Sequence, residues 1–150
     1  MKIYGIVGHK NAGKTGLMER LVAEITKRGF RVATIKHTHH AFDLDRPGKD
    51  SFRHRAAGAG EVLLASHQRW ALLHENSAAQ EPELAELLGK LAPCDLVLIE
   101  GYKRDAHAKI EVQRAEAGHP LIQPGDPNVR AVAADTALEG LPVPVFDLDD

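Results

Sequence analysis

The chain has 150 residues, of which 43% are apolar and 27% are charged, and its net charge is −2. This length and balance predict one globular domain over residues 1–150 and exclude global disorder. The single cysteine, Cys94, excludes an internal disulfide and a cysteine-based metal cluster held by one chain. No stretch approaches the ~18 apolar residues of a membrane span, and we expect a cytoplasmic protein with neither a cleaved leader nor a membrane partner.

The charge is distributed unevenly along the sequence. Residues 1–75 contain 13 basic and 7 acidic side chains, whereas residues 76–150 contain 6 and 14. Two interpretations stand side by side: an anionic ligand near the N-terminal half, or an uneven surface that is solvated. The aromatic content of 5% argues against a dedicated nucleic-acid-binding protein.

The first 36 residues predict a βαβ unit. Residues 2–7 are mostly apolar and rich in β-formers, which indicates a strand. Leu17, Leu21 and Ile25 recur at helical spacing, and Gly29 follows as a helix terminator. Residues 31–36 predict a second strand, parallel to the first.

The rest of the chain alternates between predicted strands and helices. Trp70 lies in an apolar strand and is expected in the core, and residues 109–113 alternate in a way that indicates an edge strand. This order predicts an α/β fold with three layers, a mostly parallel sheet and some antiparallel edge strands. The predicted elements are helices over 51–57 and 81–91 and strands over 61–65, 69–74, 95–100, 109–113, 129–134 and 143–146.

Residues 8–15 match the phosphate-binding loop pattern G-x-x-x-x-G-K-[ST] at every fixed position. Gly8 and Gly13 allow backbone N–H groups to approach phosphate oxygens, and the following helix presents its positive N-terminus. Lys14 would reach the β- and γ-phosphates, and the Thr15 hydroxyl would bind Mg²⁺. The predicted nucleotide-binding residues here are Gly8, His9, Lys10, Asn11, Ala12, Gly13, Lys14, Thr15 and Gly16.

Two acidic residues are candidates for the metal. Glu100 ends the apolar strand 95–100, where a Walker-B acid would hold Mg²⁺ directly or through water. Because ligands collect at the carboxyl ends of parallel strands, we expect Glu100 close to the phosphate loop. Asp50 either binds Mg²⁺ or acts as a base near the γ-phosphate, or it caps the following helix. The predicted catalytic set is therefore Lys14, Asp50 and Glu100, with Thr15, Asp50 and Glu100 as metal ligands.

A histidine cluster follows the second predicted strand. His37, His39 and His40 could hold a metal with Asp43. However, positions 37 and 39 of a strand share a face that position 40 does not. A polar loop that contacts the ligand is therefore the favoured interpretation of the cluster.

The basic residues of the next segment admit two interpretations. Lys49, Arg53 and Arg55 suit a second phosphate-bearing ligand, or they form a solvated helix face. The Asn-Lys-x-Asp signature, which recognises guanine in Ras-like GTPases, is absent from the sequence. The choice between GTP and ATP therefore does not follow from these residues.

Several segments together resemble MobB, the molybdopterin-guanine dinucleotide biosynthesis protein B family. The resemblance implies a P-loop NTPase fold, GTP and Mg²⁺ binding with weak hydrolysis, a MobA-type guanylyltransferase as partner, and a homodimer. It also implies that His37, His40, Lys49 and Arg53 line a groove beside the phosphate loop. The matching segments are Lys-Asn-x-Gly-Lys-Thr (10–15), Lys-His-x-His-His (36–40), Asp-x-Pro-Gly-Lys-Asp-Ser (45–51), Ala-Gly-Ala (57–59), Leu-Val-Leu-Ile-Glu-Gly-Tyr-Lys (96–103) and Lys-Ile-Glu (109–111).

The function expected from motif and resemblance together is that of a GTP-binding accessory protein in molybdenum cofactor biosynthesis. It would be at most a slow Mg²⁺-dependent GTPase, with molybdopterin or its guanine dinucleotide as a further candidate ligand. One alternative is an ATP-dependent small-molecule kinase or ligase of the dethiobiotin-synthetase type. Another is a carrier of the pterin cofactor in which the nucleotide acts as a switch.

Overall fold

The computed structural model describes residues 1–38, 42–76 and 81–150. The chain forms two compact units, Met1–Thr38 with Leu91–Asp150, and His39–Lys90. The expectation of one domain over residues 1–150 stays a prediction. In chain order the elements are β1 (Lys2–Val7), α1 (Lys14–Lys27), β2 (Val32–Lys36), α2 (Asp50–Ala56), β3 (Glu61–Ala65), β4 (Trp70–His74), α3 (Leu84–Gly89), β5 (Leu96–Glu100), β6 (Lys109–Gln113), β7 (Val129–Ala134) and β8 (Val145–Asp147).

The first unit is built on a six-stranded sheet in the order β2-β5-β1-β6-β7-β8. Every neighbouring pair in this sheet is parallel. Strand β1 lies between β5 and β6, with Ile6 opposite Glu100 on one side and Ile110 on the other. The loop that leaves the carboxyl end of β1 therefore emerges in the middle of the sheet, next to the end of β5.

Helix α1 covers one face of this sheet. Its buried residue Met18 belongs to a core cluster with Ile6 and Leu98, and Leu17 and Leu21 pack against that cluster. Each such side chain contributes roughly 1.5–3 kcal/mol when it is fully removed from water. The apolar spacing recognised in the sequence thus fixes the start of α1 directly behind the phosphate loop.

Strand β6 corrects one sequence-based expectation, because it is an interior strand and not an edge strand. Its charged side chains are buried, with Lys109 1% and Glu111 0% exposed. Lys109 Nζ donates to the Asp126 carboxylate at 2.8 Å, and Glu111 accepts hydrogen bonds from the backbone N–H groups of residues 122 and 123. These charges alternate along the strand like solvent-facing residues, but each is compensated inside the protein.

The second unit contains an antiparallel hairpin of β3 and β4, separate from the parallel sheet. The predicted α/β class with a mostly parallel sheet is confirmed, with the antiparallel pair forming a small sheet of its own. The expectation that Trp70 lies in the core is wrong, since 67% of this residue is exposed. Leu63 and Leu72, a cross-strand pair, are exposed as well. Within the described ranges, no helix combines the length and hydropathy needed to cross a bilayer.

Candidate nucleotide-binding site

The phosphate loop adopts a conformation that depends on its two fixed glycines. Gly8 has φ 152°, and a Cβ atom on it would lie 2.5 Å from the backbone oxygen of Val112. Gly13 is the N-cap of α1 with φ 95°, in the left-handed region that L side chains rarely adopt. Asn11 also has a positive φ of 64°. The loop therefore lies closely against β6 and turns sharply into α1.

The loop and the end of β5 enclose a cavity of about 440 Å³. The expected proximity of Glu100 to the phosphate loop is thereby confirmed. The side chain of Ala12 is turned into the core, and a Cβ atom on Gly16 would meet nothing within 4 Å. The residues that line the cavity are Lys10, Asn11, Gly13, Lys14, Thr15 and Glu100.

Lys14 lies in this cavity with its ammonium group bonded to its own loop. Its Nζ donates to the backbone oxygen of His9 at 2.7 Å. Burial lowers the pKa of Lys14, the positive charges of Lys103 and Lys36 lower it further, and the Glu100 carboxylate opposes them. A partly buried ammonium among other cations is a favourable partner for an anion such as a phosphate group.

Among the described residues that line this cavity, only Glu100 supplies a carboxylate. Its side chain is 13% exposed, and Lys36 Nζ lies 3.6 Å from its Oε1. The two residues are register partners at the ends of the adjacent strands β2 and β5. The carboxylate is thus held at the cavity wall by neighbouring cations.

The donor set of the cavity fits Mg²⁺ bound together with phosphate. Thr15 and Glu100 provide oxygen atoms on the same cavity, and Mg²⁺ is usually held by one or two protein oxygens plus phosphates and water. In the described portion of the chain, no group of three or more His, Cys, Asp or Glu side chains is placed to hold a metal by itself. Thr15 and Glu100 lie together on this cavity and would hold the ion there. The metal roles of Thr15, Glu100 and Asp50 all stay predictions.

His37 lies directly beyond β2, next to the end of β5. Its backbone N–H donates to the Glu100 carbonyl at 2.8 Å, and its ring lies 4.4 Å from that of Tyr102. Gly101 has φ 109°, and a Cβ atom there would lie 2.8 Å from His37 Cβ. The ring of His37 thus packs on Tyr102 and Gly101 at the end of β5, whereas His39 and His40 fall outside the described residues.

The other predicted residues belong to the second unit. Asp50 is the first residue of α2 and Lys49 is its N-cap, so the expectation that Asp50 caps this helix is wrong. Arg53 is exposed. The roles of Asp50, Lys49 and Arg53 at the nucleotide stay predictions.

Arg55, in contrast, forms ion pairs with carboxylates of its own unit. It lies 2.9 Å from Asp43, 3.4 Å from Asp45 and 2.7 Å from Glu75. Its hydrogen bonds to Glu75 and Asp43 raise its pKa. The Arg55 guanidinium is therefore neither free to bind a phosphate nor part of a solvated helix face. It stabilises the second unit through its ion pairs.

Two basic residues near the phosphate loop were missed from the sequence. The positive charge of Lys103 lowers the pKa of Lys14. Its position three residues after Glu100 could have indicated that it lies near the phosphate loop. Arg114 lies behind Gly13, with its Nε 3.2 Å from the position of a Cβ atom there. No sequence pattern predicts the role of Arg114, because this residue contacts Gly13 from the end of β6, about a hundred residues later in the chain.

Comparison with known proteins places this site in a family context. Residues 3–135 match the family described as "Molybdopterin guanine dinucleotide synthesis protein B". The "Molybdopterin-guanine dinucleotide biosynthesis adapter protein" of Escherichia coli strain K12 is 43% identical over 141 residues, covering 92% of this chain and 80% of that protein. The protein of the same name from Haemophilus influenzae is 39% identical over 137 residues, covering 91% and 76%.

Solved structures agree with the fold described above. A MobB protein homologue from Bacillus stearothermophilus has a TM-score of 0.71 at 32% identity, covering 99% of this chain and 89% of its own. MobB of Bacillus subtilis has a TM-score of 0.77 at 26% identity, covering 100% and 91%. The predicted fold class and family resemblance are thus confirmed, and the chain belongs to the molybdopterin-guanine dinucleotide synthesis protein B family.

Proposed function

We propose that this protein binds Mg²⁺ and GTP at its phosphate loop and serves as an adapter for a MobA-type guanylyltransferase in molybdopterin-guanine dinucleotide biosynthesis. The observation that carries the nucleotide half is the cavity in which Lys14, Thr15 and Glu100 meet. Loop N–H groups and the Lys14 ammonium would bind the phosphates. Thr15 and Glu100 would hold Mg²⁺, which neutralises phosphate charge when bound.

Slow hydrolysis is part of the proposal. The residues that line the described cavity include neither a glutamine to orient water nor an arginine to stabilise charge on the transferred phosphoryl group. Glu100, the one carboxylate of the lining, is engaged with Lys36. This chain's own residues therefore support tight binding of the phosphates better than rapid transfer.

The preference for guanine is supported by the names of the two curated relatives, both of which refer to molybdopterin-guanine dinucleotide biosynthesis. Competition of GTP and ATP for the wild-type protein in Mg²⁺, with phosphate release followed in parallel, tests it. We expect GTP to bind at least tenfold more tightly, with little release of phosphate. Preference for ATP, with turnover that waits for a small acid, would favour a kinase or ligase. Pterin fluorescence in the purified protein without GTP hydrolysis would favour a cofactor carrier.

The adapter half of the proposal requires a physical association. The test is a titration of a purified MobA-type guanylyltransferase with this protein, with and without Mg²⁺ and GTP, together with the rate of GMP transfer to molybdopterin. We expect a complex and a faster or more complete transfer. Neither association nor any effect on transfer would contradict the adapter role.

A homodimer is also proposed, through the hairpin of β3 and β4. Leu63, Leu72 and Trp70 form an exposed apolar face on this hairpin, and contiguous exposed apolar faces usually mark an interface. Glu61 and His74, which lie 2.7 Å apart, continue the same face at the open end of the hairpin. A second copy stacked antiparallel would bury Trp70 and Leu72 of each chain against this face of the other, as a twofold interface requires.

A further inference from the structure

Arg114 occupies the space behind the phosphate loop. It follows β6 directly, and its guanidinium covers the backbone of Gly13, with Nε 3.2 Å and Nη2 3.8 Å from the position of a Cβ atom on that glycine. Leu148 Cδ2 lies 3.5 Å from the same position. Neither residue lines the cavity on the other side of the loop. Arg114 therefore contacts the loop from its protein side.

The charge of Arg114 is compensated by two carboxylates. Its Nη2 lies 2.8 Å from Asp149 Oδ1, and its Nη1 lies 3.7 Å from Asp135 Oδ2. Asp135 also accepts a hydrogen bond from the backbone N–H of Ala115 at 2.9 Å. A free cation at the N-terminus of α1 would be opposed by the helix dipole and would compete with Lys14 for phosphate. The Arg114 side chain is 35% exposed, and the two carboxylates hold its guanidinium beside Gly13 with its charge compensated.

The partner carboxylate Asp149 belongs to a C-terminal segment that is firmly anchored. Leu148 is 1% exposed and packs in the same core cluster as Ala12 of the loop. Its backbone N–H donates to the Ala134 carbonyl at 2.9 Å. Arg20 of α1 donates to the backbone oxygens of Leu148 and Asp150. Residues 148–150 thus hold both the loop and α1 from behind.

We propose that Arg114 is a positioning residue for the phosphate loop, and that the C-terminal segment, acting through Asp149 and Arg114, sets how tightly the loop binds phosphate. Arg114 prevents Gly13 from relaxing towards the core, so that the loop N–H groups remain directed at the cavity. Loss of this support removes none of the phosphate-binding groups, but it allows the free loop to adopt more conformations. Only some of these conformations bind phosphate, so the affinity falls.

Hydrogen exchange of the nucleotide-free protein tests the support itself. Arg114→Ala should increase exchange in residues 8–17 while β5 remains protected. The matched control is Arg130→Ala, an exposed arginine on β7, which should change neither segment. Unchanged exchange of residues 8–17 in Arg114→Ala would overturn the proposal. This readout needs no ligand, so it holds even if the proposed GTP binding fails.

The second test measures GTP affinity and therefore rests on the proposed function. Its decisive result is whether Asp149→Asn weakens or tightens GTP binding. Arg114→Ala should weaken GTP binding about tenfold, in the range of typical couplings between sites. Asp149→Asn should weaken it in the same direction, and the double variant should be no worse than Arg114→Ala alone. If Asp149→Asn instead tightens binding, Arg114 contacts the phosphate directly and the positioning role is wrong.

Two further measurements keep this test decisive. Arg114→Lys retains the charge but not the planar fork that reaches both carboxylates, so it should fail to restore wild-type affinity; full restoration would contradict the proposal. If the wild type binds neither GTP nor ATP, inorganic tripolyphosphate is used as the ligand instead. We expect the wild type to bind it more tightly than each variant, as expected for GTP. Asp149→Asn, on an exposed side chain, remains available should Arg114→Ala not fold.

Discussion

The ammonium of Lys36 lies 3.6 Å from the carboxylate of Glu100, at the facing ends of two adjacent parallel strands. Lys36 is largely exposed, whereas Glu100 forms part of the cavity wall. The pair keeps an acidic side chain beside the phosphate loop, with its charge compensated by the neighbouring ammonium. Mg²⁺ bound by Glu100 would compete with Lys36 for the same oxygen atoms.

This competition predicts opposite effects of two substitutions. Glu100→Gln should lower the Mg²⁺-dependent affinity for GTP about 10- to 100-fold, since a charge-assisted contact contributes ~1.5–3 kcal/mol. Lys36→Met should raise the apparent affinity for Mg²⁺ by at most about fivefold. The measurement is GTP affinity over a series of Mg²⁺ concentrations, with Lys90→Met as the control, another lysine in an exposed ion pair. Equal Mg²⁺ dependence in wild type and Glu100→Gln would exclude Glu100 as a metal ligand.

A second prediction concerns the dependence of stability on pH. His107 packs on Gly5, where a Cβ atom would lie 2.5 Å from its Nε2, and neither of its buried ring nitrogens has a hydrogen-bond partner among the residues that the structure describes. Burial lowers the pKa of His107, and Lys109 lowers it further. The unfolded chain therefore binds the proton more readily, and the free energy of unfolding falls as pH drops below the ordinary histidine value of about 6.5.

Urea denaturation at several pH values checks this effect of His107. His107→Leu should flatten the decline in the free energy of unfolding below about pH 6.5. Burial raises the pKa of Asp126, but its hydrogen bonds to Lys109 and Asn128 together outweigh burial and lower it. The stability that Asp126 contributes is therefore lost only in the more acidic range below about pH 4. An identical decline in wild type and His107→Leu would show that another group is responsible.

The buried pair of Lys109 and Asp126 gives a third prediction. Lys109→Met leaves the Asp126 carboxylate without its partner and should lower the free energy of unfolding by about 3 kcal/mol. Adding Asp126→Asn should recover part of this loss, because the uncompensated charge is removed. Equilibrium unfolding of the single and double variants measures both steps. A loss below about 1 kcal/mol in Lys109→Met would mean that water replaces the lysine without penalty.

The apolar face of the hairpin gives a fourth prediction. Trp70→Ser combined with Leu72→Ser should shift the protein from dimer to monomer, because both side chains are exposed on the face assigned to the second copy. Sedimentation or light scattering over a range of concentrations measures the equilibrium. Phe146→Ser, an exposed aromatic residue of the first unit, is the control. A dimer that survives the double change would place the interface elsewhere, and a monomeric wild type would exclude this one.

The sequence predicted the parts of the site that depend on local pattern. The loop at residues 8–15 and Glu100 were located correctly, because fixed spacing and the end of an apolar strand define them without tertiary information. The buried charges of β6 could not be located in this way. Lys109 is compensated by Asp126, seventeen residues later, so its alternation with apolar neighbours imitates a solvent-facing strand.

Trp70 and Arg114 illustrate the same limit in other ways. Trp70 lies in an apolar strand, and hydrophobicity alone does not distinguish a core face from a face left exposed. Arg114 gains its position from contact with Gly13 and Asp149, on segments about a hundred and thirty-five residues distant in sequence. Only the order of the parallel strands brings these residues together.

Binding of the phosphates of a guanine nucleotide by Lys14 and its loop is the central property proposed for this protein. Its most direct test is a calorimetric titration of GTP in Mg²⁺ into wild type, Lys14→Ala and Lys27→Ala, the last an exposed lysine at the far end of α1. We predict one GTP per chain, about 10- to 100-fold weaker binding in Lys14→Ala, and unchanged binding in Lys27→Ala. Wild-type protein that binds no GTP, or Lys14→Ala that binds GTP as tightly as wild type, would contradict this role of Lys14 and its loop.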